Sequence, residues 1–171
     1  MTIKLNSFIL TDDVINKMKS DVEYSRSNGV EAGFNLCTEN SGNTLHDESH
    51  CTGAECSVDI PKKCKKGKSV GNFHTHTSSD SEPSIQDMAS AYLMGTNCIG
   101  SIGEKDIKCY VRKDKNYSMK ELETIVTALL RYEDPLHISD PPKEEDIENY
   151  KKWNSVRNEL KKHYFNTIDV K

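Results

Sequence analysis

Gly71-Asn72-Phe73-His74-Thr75-His76, followed by Ser84 and Asp87, is the stretch on which the reading of this chain turns. It spells H-x-H, seven residues, serine, two residues, aspartate. Val70 and Phe73, with the glycine between them, suggest a short buried strand. On a strand, His74 and His76 point to the same side, because side chains alternate. Ser84 then opens a helical pattern that runs to about Met94. Asp87 sits in its first turn, where it can face back toward the strand end. Two imidazoles and one carboxylate are good ligands for a divalent, zinc-like metal. Three protein ligands with one position open is the pattern of a catalytic site rather than a structural one. Ser84-x-x-Asp87 is also a capping-box-like helix start, and the two readings are compatible. H-x-H alone is common surface decoration, so the metal reading rests on all four residues together.

These four residues match, position by position, the second part of the signature of the JAMM metalloproteases, also called the MPN+ or JAB family, which this chain resembles. The first part of that signature is a glutamate shortly before a glycine within a short apolar strand. Val30-Glu31-Ala32-Gly33-Phe34-Asn35-Leu36 fits it. The resemblance covers about residues 1–112. Thr77 stands where many members carry proline, a position that is not a ligand. The resemblance implies a cytidine-deaminase-like α/β/α sandwich, the JAB/MPN domain. It further implies one zinc per chain, held by His74, His76 and Asp87 with water as the fourth ligand. Glu31 would be the general base, and Ser84 would help stabilise the oxyanion.

That chemistry also makes sense on its own terms. Zinc lowers the pKa of bound water and polarises a carbonyl. A carboxylate can take the water's proton and pass it to the leaving amine, and a hydroxyl supplies a donor where charge develops. Without the family pattern, Glu31 reads as an exposed strand residue.

Function follows from the resemblance in the same way. It points to a zinc isopeptidase or peptidase cleaving after the C-terminal Gly-Gly of ubiquitin-like proteins, by deconjugation or by precursor processing. Processing of small sulfur-carrier proteins cuts the same kind of bond. The alternative from another class is a non-catalytic MPN-type scaffold, against which the complete ligand set argues. A nucleic-acid role is disfavoured by the net charge of −4 and the lack of a basic–aromatic stripe.

The 171 residues suffice for a domain with a real core, and 29% charged against 35% hydrophobic residues makes the chain rather polar. No apolar run approaches the roughly 18 residues of a membrane span. Met1 to Asn6 lacks the apolar core of a secretory signal, so the expected location is cytoplasmic, without membrane or nucleic-acid partners. Cys37, Cys98 and Cys109 lie in apolar, strand-like runs and read as small buried hydrophobes. Cys51, Cys56 and Cys64 lie in a polar segment near His46 and His50. Free thiols, a disulfide and a second metal site all remain open there, although C-x4-C and C-x7-C do not match the paired knuckles of zinc ribbons.

Along the chain, Ile3, Leu5, Ile9 and Leu10 suggest a first strand. Thr11-Asp12-Asp13 starts a helix striped by Val14, Ile15, Met18 and Val22, which Asn28-Gly29 breaks before the Glu31 strand. Residues 38–50 read as a loop or long hairpin connection, Val58-Asp59-Ile60 as a strand, and Lys62 to Lys68 as a solvated basic turn. After the helix from Ser84, which Gly95 ends, strands are expected at Cys98–Ile102 and Ile107–Val111. Residues 113–171 read as a C-terminal helical extension packed on the core. Ser118 caps one helix there, and Asp134 to Pro142 is a breaker-rich connection. A final helix is expected from about Glu144 to Phe165, with Ile147, Tyr150, Trp153, Val156, Leu160 and Tyr164 as its stripe. Its aromatic face either packs on the domain or forms a homodimer contact.

Overall fold

The computed structural model describes residues 2–39, 42–53, 56, 63–78, 81–113, 118, 120, 124 and 144–171. Its centre is a six-stranded sheet in the order β4-β3-β5-β6-β7-β8. The strands are β3 (Ala32–Thr38), β4 (Leu45–Thr52), β5 (Ser69–His76), β6 (Thr96–Ser101), β7 (Ile107–Arg112) and β8 (Phe165–Val170). A separate hairpin is made by β1 (Ile3–Leu5) and β2 (Phe8–Leu10). Helices α1 (Asp12–Asn28), α2 (Ile85–Met94) and α3 (Glu144–Tyr164) complete the described elements.

Every neighbouring pair in the large sheet is antiparallel except β5 and β6, which run parallel. Parallel neighbours cannot be joined by a tight turn and need a crossover. Here α2 supplies it, so its N-terminus returns toward the end of β5. The crossover is tight at its base. Gly71 has φ +152°, and a Cβ there would stand 1.9 Å from the Thr96 carbonyl oxygen on β6.

The two sheet faces separate by strand alternation. Phe34, Leu36, Phe73, Cys98, Cys109 and Val111 pack against Val14, Ile15, Met18 and Val22 of α1. Ile99, Tyr110 and Phe165 point the other way, onto Met88, Ala91 and Tyr92 of α2 with Leu160 and Tyr164 of α3. Helices thus cover both faces, the α/β/α layering expected from the resemblance. The expected helix ends hold as well. The Thr11 side chain accepts the Val14 N–H, and Gly29 closes α1 in the left-handed conformation at φ 67°. At α2, Ser84 and Asp87 form a full capping box, and Gly95 is the C-cap.

Several expectations need correction. The first strand is a hairpin, turned at Asn6, which adopts a positive φ. Glu31 lies one residue before its strand. Residues 45–50, read as part of a loop or long hairpin connection, belong to edge strand β4. The final helix stops at Tyr164, and the chain continues directly into β8, which pairs with β7 along its whole length. Leu160 and Tyr164 do pack on the domain, whereas Ile147 is exposed. Val58–Ile60, Lys62, the side chains of Tyr150, Trp153 and Val156, and most of the helix expected from Ser118 lie outside the described residues.

All six cysteines are paired, as Cys37–Cys64, Cys51–Cys56 and Cys98–Cys109. Cys37, Cys98 and Cys109 are fully buried, as expected, but they are half-cystines rather than free hydrophobes. Cys98 and Cys109 face each other directly in the β6–β7 register.

The close approach at Gly71 makes a test of the parallel junction. Gly71→Ala drives a methyl group into the Thr96 carbonyl at a backbone angle that L-residues avoid, and should cost more than about 2 kcal/mol. Urea denaturation measures this; a loss below about 0.5 kcal/mol, within the range of neutral surface changes, would mean that the junction relaxes freely.

Candidate metal centre

Phe73 and Thr75 turn toward α1, so His74 and His76 emerge on the α2 face of the sheet. The crossover brings the first turn of α2 over the same spot. His74 Nε2 and His76 Nε2 are 3.1 Å apart. Asp87 Oδ1 lies 3.3 Å from His74 Nε2, and its Oδ2 lies 3.3 Å from His76 Nε2. All three side chains are largely but not wholly covered, at 14–18% exposure.

These separations are close to those around a bound ion, with the two imidazole nitrogens slightly nearer each other than such an ion would hold them. Nitrogen and oxygen ligands about 2.0–2.2 Å from a tetrahedral ion stand roughly 3.3–3.6 Å apart. The donor set, two neutral imidazole nitrogens and one carboxylate, is that of a zinc-class site with an open position. The three residues form one of two groups among the described residues whose ligand atoms converge closely enough to hold a metal.

The electrostatics of the cluster follow from crowding and burial. Burial pushes the Asp87 carboxyl up, but His74 and His76, through hydrogen bonding and charge, outweigh it and hold the group well below the usual carboxylate range. Burial pushes His74 down, but Asp87 and, more weakly, Glu31 outweigh it and raise the imidazole. Glu31 is therefore within electrostatic reach of His74.

Each site residue is held by its own local device. Asp87 Oδ2 accepts the Ser84 N–H at 2.9 Å, while Ser84 Oγ accepts the Asp87 N–H at 3.0 Å. The capping box and the metal cluster thus share Asp87. The loop before Ser84 is pinned where the Ser78 carbonyl accepts Ser101 Oγ at 2.5 Å and the Ser81 carbonyl accepts Tyr110 Oη at 2.9 Å. Lys161 of α3 reaches Glu82 at 2.6 Å. Glu31 is fixed through its backbone neighbours. The Ala32 N–H donates to Thr75 Oγ1 at 2.9 Å, and the Glu31 carbonyl accepts the Gly53 N–H at 2.7 Å. Gly33 pairs with His74 in the β3–β5 ladder, so extending that register by two residues sets Glu31 across from His76.

Two contributors escaped the sequence reading. Thr75, between the histidines, ties Ala32 to β5 and meets Ser25 Oγ of α1 at 2.5 Å. Asn72 Oδ1 lies 3.2 Å from His74 Nδ1. Such a contact favours the tautomer with hydrogen on Nδ1, which leaves Nε2 free to ligate. The alternation of β5 places Asn72 beside His74, but only the structure shows that its amide makes the contact.

No protein-family model and no curated protein matches the chain. Among solved structures it is similar to that of a JAB1/MPN domain protein from Archaeoglobus fulgidus, with 18% sequence identity and a TM-score of 0.41. That similarity covers 66% of this chain and 95% of the other.

The Asn72 contact yields a measurable consequence. Asn72→Leu keeps the bulk but removes the acceptor, so metal affinity should fall about 10- to 100-fold, as for other outer-shell partners of histidine ligands. Titration with zinc against a chelating indicator reads this directly. Unchanged affinity would mean that His74 is oriented by its strand alone.

Proposed function

We propose that this chain is a zinc-dependent peptidase or isopeptidase of JAMM type, acting after the C-terminal Gly-Gly of a ubiquitin-like protein. The observation that carries the reading is the convergence of the His74, His76 and Asp87 ligand atoms to within 3.1–3.3 Å, with Glu31 in electrostatic reach.

His74, His76 and Asp87 would hold the ion, which supplies Lewis acidity to water and to a carbonyl. Glu31 takes the proton from the attacking water and delivers it to the leaving amine, as a carboxylate in a half-enclosed cleft can do. Ser84 Oγ already accepts the Asp87 N–H, so its own hydrogen is available to the oxygen on which negative charge grows. The Asn72 amide and the capping box keep His74 and Asp87 from reorienting as charge moves.

The substrate assignment rests on the resemblance, and an available sheet edge is compatible with it. β4 is the terminal strand, and its Cys51–Thr52 end lies opposite Gly33 and Ala32, next to Glu31. An extended tail can add to such an edge through backbone hydrogen bonds. The preference for Gly-Gly is what the resemblance implies, and a tail on that edge would have to bend past the Glu31 end of β3 to reach the histidines on β5.

Glu31→Gln keeps the shape of the side chain and removes the basic oxygen. It should leave the fold and the zinc content intact and lower turnover by about 10²- to 10⁴-fold. Kinetics on a ubiquitin-like fusion, with zinc measured on the same sample, decides this. Near-normal turnover would make Glu31 structural.

A matched pair of fusions differing only at the two residues before the scissile bond tests the substrate class. The Gly-Gly fusion should be cleaved and the Leu-Leu fusion poorly. Equal cleavage, or none by fully zinc-loaded protein, would count against a ubiquitin-like substrate.

A further inference from the structure

A second group of ligand atoms converges at the other end of β3. Cys37 Sγ, Cys64 Sγ and a Glu48 carboxylate oxygen lie within 4.8 Å of one another. Cys37 is buried on β3, Glu48 stands on β4, and Cys64 lies in the loop that leads into β5. The Glu48 carboxylate is aimed by three donors. The Lys65 and Lys66 backbone N–H groups reach it at 2.7 and 3.1 Å, and His46 Nε2 lies 2.8 Å from it. Hydrogen bonding from His46, the largest influence, holds this carboxyl below its usual range against burial, and the two N–H groups add smaller downward pulls. His46 sits directly opposite Cys37 in the β3–β4 register.

We propose that Cys37, Cys64 and Glu48 form a second, redox-gated metal site that takes a thiophilic divalent ion of the zinc class. It is closed by the Cys37–Cys64 disulfide and opened by reduction. The chemistry of the donors sets the class of ion, since two thiolates and a carboxylate select zinc-like ions over magnesium or calcium. The geometry is near what such a site needs. Two sulfurs about 2.3 Å from a tetrahedral ion stand roughly 3.8 Å apart. The Cα atoms of the pair are separated by 6.1 Å, so side-chain rotation alone can open that gap. His46 serves as the outer-shell partner that orients the ligating carboxylate. Lys63, Lys65, Lys66 and Lys68 surround Cys64 in sequence, and their charge offsets the excess negative charge of two thiolates and a carboxylate around a dication.

The redox step balances. A dithiol gives two electrons and two protons, closing to its own disulfide, and Cys37 and Cys64 become thiols. The ion then displaces both protons to solvent. In the reducing cytosol expected from the sequence the site would hold metal, and under oxidising conditions it would be the disulfide. The occupied site ties the loop before β5 to β3 and β4 just as the disulfide does, so the histidine strand is anchored in either redox state.

Cobalt(II) is the probe, because only thiolate ligation gives an intense sulfur-to-cobalt charge-transfer band in the near ultraviolet. His74, His76 and Asp87 contain no sulfur, and a Cys51→Ser, Cys56→Ser background removes the thiol pair that reduction also frees beside β4, while Cys98 and Cys109 are buried, so the two sites are read separately. The full chain is reduced with a water-soluble phosphine, which becomes its oxide with oxygen from water, then freed of reductant under anaerobic conditions and titrated. The band should appear with one added equivalent in the reduced protein, be absent from the oxidised protein, and persist in His76→Ala. Cys37→Ser and Cys64→Ser should abolish it, and Glu48→Gln should weaken cobalt binding about tenfold or more. Should the serine variants fail to fold, Glu48→Gln in otherwise intact protein decides alone. No band on reduction, a band that survives loss of Cys37 or Cys64, or unchanged affinity in Glu48→Gln overturns the proposal.

Discussion

The parallel pairing of β5 with β6 is the constraint on which the candidate site depends. An antiparallel partner could have followed β5 through a short turn, and no helix would then have been required to return above it. The parallel arrangement obliges the chain to cross over, and the crossover helix begins beside the ends of the histidines. A carboxylate in the first turn of that helix therefore meets two imidazoles from the strand. Gly71 permits the geometry, since no side chain could fit between it and the Thr96 carbonyl. The backbone pairing thus comes first, and the candidate metal-binding constellation follows from it.

Charge is the second determinant. A lone carboxylate as covered as Asp87 would pay a desolvation penalty of several kcal/mol. The cluster offsets this with two imidazoles and the Ser84 N–H, and burial is outweighed by those partners. His74 shows the mirror image, with burial against it and the Asp87 charge for it. Each group makes the others tolerable where they are mostly covered, and the same mutual attraction holds their ligand atoms together.

What the sequence disclosed was local. H-x-H on a strand, a capping box on the following helix and glycines at helix ends each announce themselves within a few residues, and each is found where expected. The edge strands were illegible for a physical reason. β4 reads Leu45-His46-Asp47-Glu48-Ser49-His50-Cys51-Thr52, with too few apolar residues to separate it from a loop. β8 follows α3 with no intervening breaker, and its six residues fell within the segment read as a helical extension. Cystine pairing was hidden because Cys37 meets Cys64 only after the chain has folded back, Cys98 meets Cys109 only in the β6–β7 register, and nothing in the sequence tells the local Cys51–Cys56 pair from free thiols. The parts played by Thr75 and Asn72 were hidden likewise, since neither is chemically suggestive until β3, β5 and α1 are assembled. Glu31 was the intermediate case, visible through resemblance and otherwise indistinguishable from an exposed residue.

The union of β7 with β8 has an evolutionary consequence. The Lys113 N–H donates to the Tyr164 carbonyl at 2.9 Å, and the strands on either side are hydrogen-bonded neighbours. Everything between those two residues is an excursion that departs and returns at one place on the sheet. Loop-closure entropy grows only logarithmically with length, about 0.6 kcal/mol for each doubling. Descendants of such a chain can lengthen, shorten or replace the outer part of the excursion at small cost. The final turn of α3 is exempt from that freedom, because Lys161 grips Glu82 and Tyr164 packs on Tyr92 with ring centroids 5.3 Å apart. Variation should therefore accumulate in the outer part of the excursion and thin out toward its return, leaving the sheet and the cleft undisturbed.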